Sequence, residues 1–257
     1  MNSATRKSLS ELNRRFYSAQ ADAFDASRDH AWPGWERAIQ AGDRPPPGSP
    51  LRVLDVGCGN GRLAEFLAAR RSPGSPAVDY TGVDQSSALL ASARTRMDGC
   101  EGAVPRWLED DVLGEQPGSS LPAGPFDLVA AFGLLHHVPG QRQRRSLVEA
   151  LAQRVGESGR LVLTVWQFAT AERFESRIIP WAEYNATAGD PVTPSELENG
   201  DYLLSFGDRS DPLRYCHHCD DAEFKELVAS SGLHLIDDFE ADGRSGDLNR
   251  YAVLEKT

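Results

Sequence analysis

A chain of 257 residues with 40% hydrophobic and 25% charged side chains is long enough to bury a full α/β core. Its formal net charge of −11 argues against a surface that holds nucleic acid unaided, because phosphate binding draws on clustered Lys and Arg. No apolar run is long enough to cross a bilayer, and Met1-Asn2-Ser3-Ala4-Thr5-Arg6-Lys7 leads into polar helix, not a signal peptide's apolar region. The expectation is a cytoplasmic protein, without membrane contact, whose four cysteines stay reduced.

Ser8 to Ala23 and Trp35 to Ala41 have helical pattern and precede a Pro-rich joint, Arg44-Pro45-Pro46-Pro47-Gly48-Ser49-Pro50. Next comes Val53-Leu54-Asp55-Val56-Gly57-Cys58-Gly59-Asn60-Gly61, an apolar strand with an acid near its end and three alternate glycines. A helical run, Arg62 to Ala69, follows directly. Strand, glycine turn and helix make a nucleotide-type binding corner. Dinucleotide sites use G-x-G-x-x-G, so that a pyrophosphate settles on the helix N-terminus. The spacing here is G-x-G-x-G with an acid two residues ahead. That suits a ligand with an ammonium and a carboxylate in place of phosphate, such as the methionine end of S-adenosylmethionine. Glycines admit close backbone approach, and Asp55 supplies charge near the ammonium.

Tyr80-Thr81-Gly82-Val83-Asp84-Gln85-Ser86 is a second extended run ending in an acid, ahead of a helix from Ala88 to Met97. Asp84 is placed to take both ribose hydroxyls of an adenosine, although alone it also reads as a helix N-cap or turn. In Trp107-Leu108-Glu109-Asp110-Asp111-Val112, Asp111 is the candidate acceptor for an adenine amino group, and Asp110 beside it leaves the choice open. Phe126 to Leu135 is a buried strand running into the pair His136-His137. Arg142 to Val155 reads as a helix and Gly159 to Trp166 as the fifth strand. Pro180 to Asp211, rich in Pro, Gly and acids, reads as an irregular lid or insertion. Asp220 to Ser231 is a helix, and Leu233 to Phe239 and Tyr251 to Glu255 close the sheet. Charge is uneven: residues 171–257 carry 8 basic and 19 acidic side chains and alone account for −11.

In this order and at these spacings, the segments between Leu51 and Phe168 resemble class I S-adenosylmethionine-dependent methyltransferases. The resemblance implies an α/β, Rossmann-like fold: a seven-stranded, mostly parallel sheet with helices on both faces. One domain is expected, with an N-terminal helical cap over 1–48, a cofactor core over 49–170, a lid over 171–219 and a closing helix and strands over 220–257. The implied cofactor is S-adenosyl-L-methionine, held by Asp55, Gly57, Cys58, Gly59 and Gly61 at the first corner. Asp84, Gln85, Asp111, Val112 and Phe132 complete the cofactor set.

Outside the core, Arg28-Asp29-His30-Ala31-Trp32-Pro33 gives Arg-x3-Trp-Pro after an aromatic helix with Phe16, Tyr17 and Phe24. Trp166 ends the fifth strand, where ligands bind in such sheets, and Arg214-Tyr215-Cys216-His217 follows the lid. With Leu135-His136-His137, this set looks like the tRNA wobble-uridine carboxymethyl methyltransferases and their bacterial relatives, from about Phe16 to Glu255. That resemblance implies esterification of a carboxymethyl group on an anticodon uridine and work alongside a small zinc-containing activator protein. The family's Val-Pro-Trp step is not matched, and Leu204-Ser205-Phe206 stands in its place. Charge favours a small acidic substrate over tRNA. A third reading, a partner-binding protein without catalysis, is opposed by the intact Gly57, Gly59, Gly61 and Asp84.

An ionised carboxylate attacks a sulfonium methyl without a base, so catalysis reduces to positioning and desolvation. Arg28 and Arg214 are the natural bidentate clamps for it, and Trp32 and Trp166 can stack on a planar ring. The plain structural alternative makes these four core aromatics and helix-end or surface ion pairs. His136 is assigned to the substrate side as orienter or base, and His217 is expected to join Arg214 in the pocket. Cys216-His217-His218-Cys219 has half the spacing of a zinc site, with no second Cys or His pair at suitable spacing. No bound metal is expected, and the cysteines should pack as small apolar groups.

Overall fold

The computed structural model describes residues 1–26, 30–39, 48–71, 74–207 and 212–256. Most of the Pro-rich joint, Arg44 to Pro47, lies outside them, as do Ala41 at the end of the second expected helix and the last residues of the expected lid, Asp208 to Asp211. The helices are α1 (Ser3–Ala26), α2 (Pro33–Ala38), α3 (Arg62–Ala69), α4 (Ser87–Arg96), α5 (Gln141–Ala152), α6 (Trp181–Thr187) and α7 (Asp221–Ser230). The strands are β1 (Arg52–Val56), β2 (Val78–Asp84), β3 (Ala103–Glu109), β4 (Phe126–Ala131), β5 (Val155–Trp166), β6 (Ile178–Ile179), β7 (Asp201–Ser205), β8 (Leu213–His217), β9 (His234–Ala241) and β10 (Asn249–Glu255).

Seven strands form one sheet in the order β3-β2-β1-β4-β5-β10-β9. β1 runs parallel to both β2 and β4, while β10 is antiparallel to β5 and β9. The near-continuous apolar runs of β1 and β4 are what a strand buried on both faces requires. Successive side chains go to opposite sides. Leu54 and Val129 pack with Leu147 and Leu151 of α5 and Phe224 of α7, whereas Val53 and Leu128 pack with Leu63 and Leu67 of α3 and Trp35 of α2. The chain therefore winds in opposite senses on either side of β1 and β4, which opens a cleft at their C-terminal ends.

Two segments complete that cleft. On α1, Leu9, Asn13 and Phe16 share one face and are all buried; Asn13 meets β8 directly, through the Tyr215 amide. The helix extends beyond the expected Ser8 to Ala23 at both ends, because the flanking Ser, Thr and Ala residues continue it without a breaker. The second departure is larger. Pro180 to Asp211 is not uniformly irregular: it holds α6 and β7, and β6-β7-β8 form a small antiparallel sheet. Strands of two to five residues give too short a periodicity to read from sequence.

Smaller boundary shifts have local causes. α2 begins at Pro33, which suits the first helical position because its missing N–H would be unpaired there anyway. α5 stops at Ala152, and Val155 opens β5 instead of ending the helix. β3 covers Ala103–Glu109, so Asp110 and Asp111 fall just past its end.

A buried ionic cluster ties the small sheet to the main one. His217 of β8 places Nδ1 2.8 Å from Asp201 Oδ1 and Nε2 2.6 Å from Glu223 Oε2. Arg144 of α5, 1% exposed, donates to Glu223 at 2.6 Å, Glu198 at 2.7 Å and the Val138 carbonyl at 3.0 Å. With carboxylates on both ring nitrogens, His217 is an imidazolium donating twice. Burial pulls its pKa down, but Asp201 and Glu223 outweigh that and leave it raised.

Candidate active site

The cleft is a cavity of about 1030 Å³ above the C-terminal ends of β1, β2, β4 and β5. Its floor is the turn after β1. Gly57 N donates to the Val83 carbonyl at 2.8 Å, and Gly59 N donates to Asp84 Oδ2 at 2.9 Å. Gly59 has φ +53°, and a Cβ built there meets nothing within 4 Å. Gly57, Cys58 and Gly59 line the cavity as expected. Gly61 does not. It caps α3 at φ +77°, and an added Cβ would lie 2.9 Å from Trp107 and 3.0 Å from Ala93. That glycine serves the close packing of helix on sheet.

Asp84 lines the cavity from the end of β2. Its other oxygen accepts from Ser86 N at 2.8 Å, so one carboxylate braces both the glycine turn and the start of α4. Burial raises its pKa against the pull of these backbone donors. The N-cap itself is Ser86, whose hydroxyl accepts from Leu89 N at 3.3 Å. Gln85, Val112 and Phe132 also lie on the wall. So do Asp110 and Asp111; Asp111 pairs with Arg14 of α1 at 3.0 Å and accepts from Leu113 N at 3.1 Å.

Asp55 is a correction. Its side chain is buried beneath the turn, accepts from the Tyr80 hydroxyl and is absent from the cavity wall. Burial lifts its pKa to about 7; through Tyr80 it braces β1 against β2, off the cavity wall where a ligand ammonium was expected.

The opposite wall gathers Trp32, His136, Trp166 and Arg214, from four separate parts of the chain. Leu135–His137 form a single 3₁₀ turn after β4, which aims the His136 ring inward, 5.1 Å from the Trp166 centroid. His137, also on the wall, lies beside it with its ring tilted by 53°, 4.0 Å between centroids. His137 Nδ1 lies 3.2 Å from the Tyr215 carbonyl and Nε2 2.6 Å from the Tyr17 hydroxyl. Nδ1 also lies 3.3 Å from Asn13 Nδ2. Asn13, 3% exposed, accepts from Tyr215 N at 2.8 Å and donates to the His137 carbonyl at 3.5 Å.

Arg214 is 5% exposed, its guanidinium carbon 5.1 Å from the Phe16 ring, 5.1 Å from Trp166 and 5.9 Å from Phe206. Among the described residues no carboxylate pairs with it, and its Nε has no hydrogen-bond partner. Arg28, the other expected clamp, lies outside the described residues. His217 is a second correction: it is committed to Asp201 and Glu223 and does not reach the cavity. Residue pattern alone could not separate a pocket histidine from one two positions along the same strand as Tyr215.

The Cys-x2-Cys is not a pair, since Cys216 packs with Phe168 and Phe174 while Cys219 joins the main core beside α7. Cys216 instead comes near His136 and His137, with ligand atoms within 4.8 Å of one another, and Glu198, Asp201 and His217 form a similar group. The ring nitrogens of His137 and His217 are already engaged as described above. Sequence reasoning also passed over Asn13, Arg62, Arg173 and Arg244 on the wall. None stands in a motif; only the folded chain brings them there.

The residues fit S-adenosylmethionine. The open space over Gly59 admits a ligand against bare backbone, Asp84 stands at the second strand's end for ribose hydroxyls, and Asp110 and Asp111 offer acceptors further along. Fold and site together define a class I S-adenosylmethionine-dependent methyltransferase, an enzyme fold of Rossmann type. Residues 54–161 match the family described as methyltransferase domain. An Encephalitozoon cuniculi protein named as a methyltransferase is 29% identical over 243 residues, 94% of each chain. A ubiquinone biosynthesis O-methyltransferase of Xylella fastidiosa is 34% identical over 122 residues, 46% of this chain and 43% of that one. Among solved structures, a S-adenosylmethionine-dependent methyltransferase of Methanosarcina mazei superposes with TM-score 0.61 at 17% identity, covering 88% of this chain and 98% of that one. A S-adenosylmethionine-bound amino pentose methyltransferase of Micromonospora echinaspora gives 0.55 at 22% identity, covering 92% and 96%. No helix among the described residues is long and apolar enough to cross a membrane.

Proposed function

We propose that this methyltransferase esterifies a carboxylate, with the carboxymethyl group of a tRNA wobble uridine as the acceptor. The observation that carries the reading is Arg214, a buried guanidinium facing the cavity with aromatic neighbours and no carboxylate partner among the described residues. A buried cation without an anion is costly. A substrate carboxylate would supply the missing partner through the guanidinium fork.

When bound, S-adenosylmethionine supplies a methyl carbon made electrophilic by the sulfonium. The carboxylate oxygen takes that carbon, the carbon–sulfur bond breaks, and its electron pair stays on sulfur; no proton moves. The chain's task is therefore to hold and dry the carboxylate, and near-attack positioning accounts for ~7–11 kcal/mol in favourable cases. Trp32 and Trp166 exclude water and offer faces for a planar base. His136 orients the acceptor from beside Trp166. The O-methyltransferase named among the relatives supports oxygen as the accepting atom.

A second reading, a small acidic metabolite as acceptor, draws on the net charge of −11. Mass spectrometry of tRNA nucleosides from a strain lacking this protein decides between them, and does so whether or not an activator subunit is needed. Loss of the methyl ester with build-up of the free carboxymethyl nucleoside supports tRNA. Unchanged tRNA nucleosides reject it. A methyl label from the enzyme's product that survives mild alkali would exclude any ester.

A further inference from the structure

Residues 171–257 carry 8 basic and 19 acidic side chains, yet the cavity wall reverses that balance. Among the described residues, the segment contributes Arg173, Arg214 and Arg244 to the wall, and of its acids only Asp242. Asp242 is fully used: it accepts from Gly34 N at 2.9 Å, Asn249 Nδ2 at 2.8 Å and the Tyr251 hydroxyl at 2.5 Å. The other described basic residues of the segment are committed elsewhere. Arg250 pairs with Asp221 and Asp238, Lys225 with Asp221, Lys256 with Glu157, and Arg177 donates to the Phe206 carbonyl. No carboxylate among the described residues pairs with Arg173, Arg214 or Arg244. In an acidic region this concentrates positive potential in one cleft.

The three do not form one point. Arg173 and Arg244 are exposed at the mouth, and a Cβ built on Gly243 would lie 3.4 Å from Arg173 Nη2. Arg214 is deeper. Between them stand two rings: Arg214 lies 5.1 Å from the Trp166 centroid, Trp166 5.0 Å from Phe174, and Arg173 4.8 Å from Phe174. One small anion cannot touch both ends.

We propose that the mouth is a second anion subsite, where Arg173 and Arg244 take a phosphate or carboxylate borne by the same acceptor whose methylated carboxylate rests on Arg214. This rests on the carboxylate reading above. The acceptor is thus at least dianionic, with its two charges separated by an aromatic or similarly flat portion that lies along Trp166 and Phe174.

Side-chain NMR of the full chain loaded with S-adenosylhomocysteine tests it, with the three arginine Nε–H resonances assigned through R173A, R214A and R244A. Inorganic phosphate should move the Arg173 and Arg244 resonances saturably, and R173A/R244A should bind phosphate at least about tenfold more weakly, as loss of charged hydrogen bonds implies. Acetate should move the Arg214 resonance in wild type and in R173A/R244A alike. Phosphate acting at the mouth where acetate does not identifies a phosphorylated acceptor; both acting equally identifies a dicarboxylate. The subsite is overturned if neither anion moves Arg173 or Arg244 at tens of millimolar. Acetate leaving Arg214 unmoved while phosphate binds at the mouth would instead overturn the carboxylate reading and leave the subsite standing.

Discussion

Arg214 and Trp166 lie against each other on one wall of the cavity, the guanidinium carbon 5.1 Å from the ring centroid. Replacing Arg214 with Ala should cost about 1.5–3 kcal/mol of transition-state stabilisation, the range for a charged hydrogen bond. Lys should restore little, because an ammonium cannot reproduce the fork. Steady-state kinetics and calorimetry with S-adenosylhomocysteine separate the effects: turnover falls and cofactor affinity holds. Loss of cofactor affinity would move Arg214 to the methionine carboxylate.

Asp84 binds two backbone amides, Gly59 N and Ser86 N, from a position on the cavity wall. Asp84→Ala should leave the fold cooperative and weaken S-adenosylhomocysteine by at least about tenfold, since both a ligand contact and the brace of the turn are lost. Unchanged affinity by calorimetry rejects this geometry.

The two glycines of the turn should respond differently to alanine. Gly61→Ala meets Trp107 and Ala93 at a left-handed φ and should cost about 2–4 kcal/mol of stability, combining backbone strain with overpacking. Gly59→Ala has open space and should cost about 1–2 kcal/mol, with a disproportionate loss of cofactor affinity because the new methyl occupies the cavity. Thermal melts paired with binding measurements distinguish the two.

His217 should make stability fall at alkaline pH. Its pKa is raised in the fold from the ordinary 6.5. The bound proton therefore stabilises fully below that ordinary value, and the contribution is lost as pH climbs through the raised one. Asp201, Glu223, Glu198 and Arg144 all face this group. His217→Ala should cost about 3–5 kcal/mol at neutral pH, because it leaves the buried Asp201 carboxylate without a counter-charge, and should flatten the stability profile above pH 6.5. Urea melts across that range provide the measurement. An unaltered slope would mean the imidazole is neutral in the fold.

The main sheet was legible because each element carried its own signal: apolar runs for β1 and β4, the glycine spacing after β1, an acid closing β2. Cofactor-side residues follow from those same local patterns, and Gly57, Gly59, Asp84 and Asp111 lie where the patterns put them. Asp55 was misread because the sequence shows an acid near a turn but not Tyr80 one strand away, which claims it. His217 was misread for a related reason. Alternation along β8 sets Arg214 and His217 to different neighbours, and only the partners Asp201 and Glu223 reveal which side is buried ionic cluster and which is cavity. Asn13 had no signal at all, since its role depends on pairing with a residue 202 positions away.

That separation also orders events during synthesis. A ribosome releasing the chain from its N-terminus can deliver β1 to β5, with the glycine turn and Asp84, while β8 to β10 are still unmade. The cofactor corner is then assembled from neighbours in sequence. Asn13 of α1 must wait for Tyr215 before its amide is satisfied, and until then the buried face of Leu9 and Phe16 has no strand to cover it. Leu9 and Phe16 therefore stay uncovered until β8 has been made, and the cavity wall that carries Arg214 closes only then.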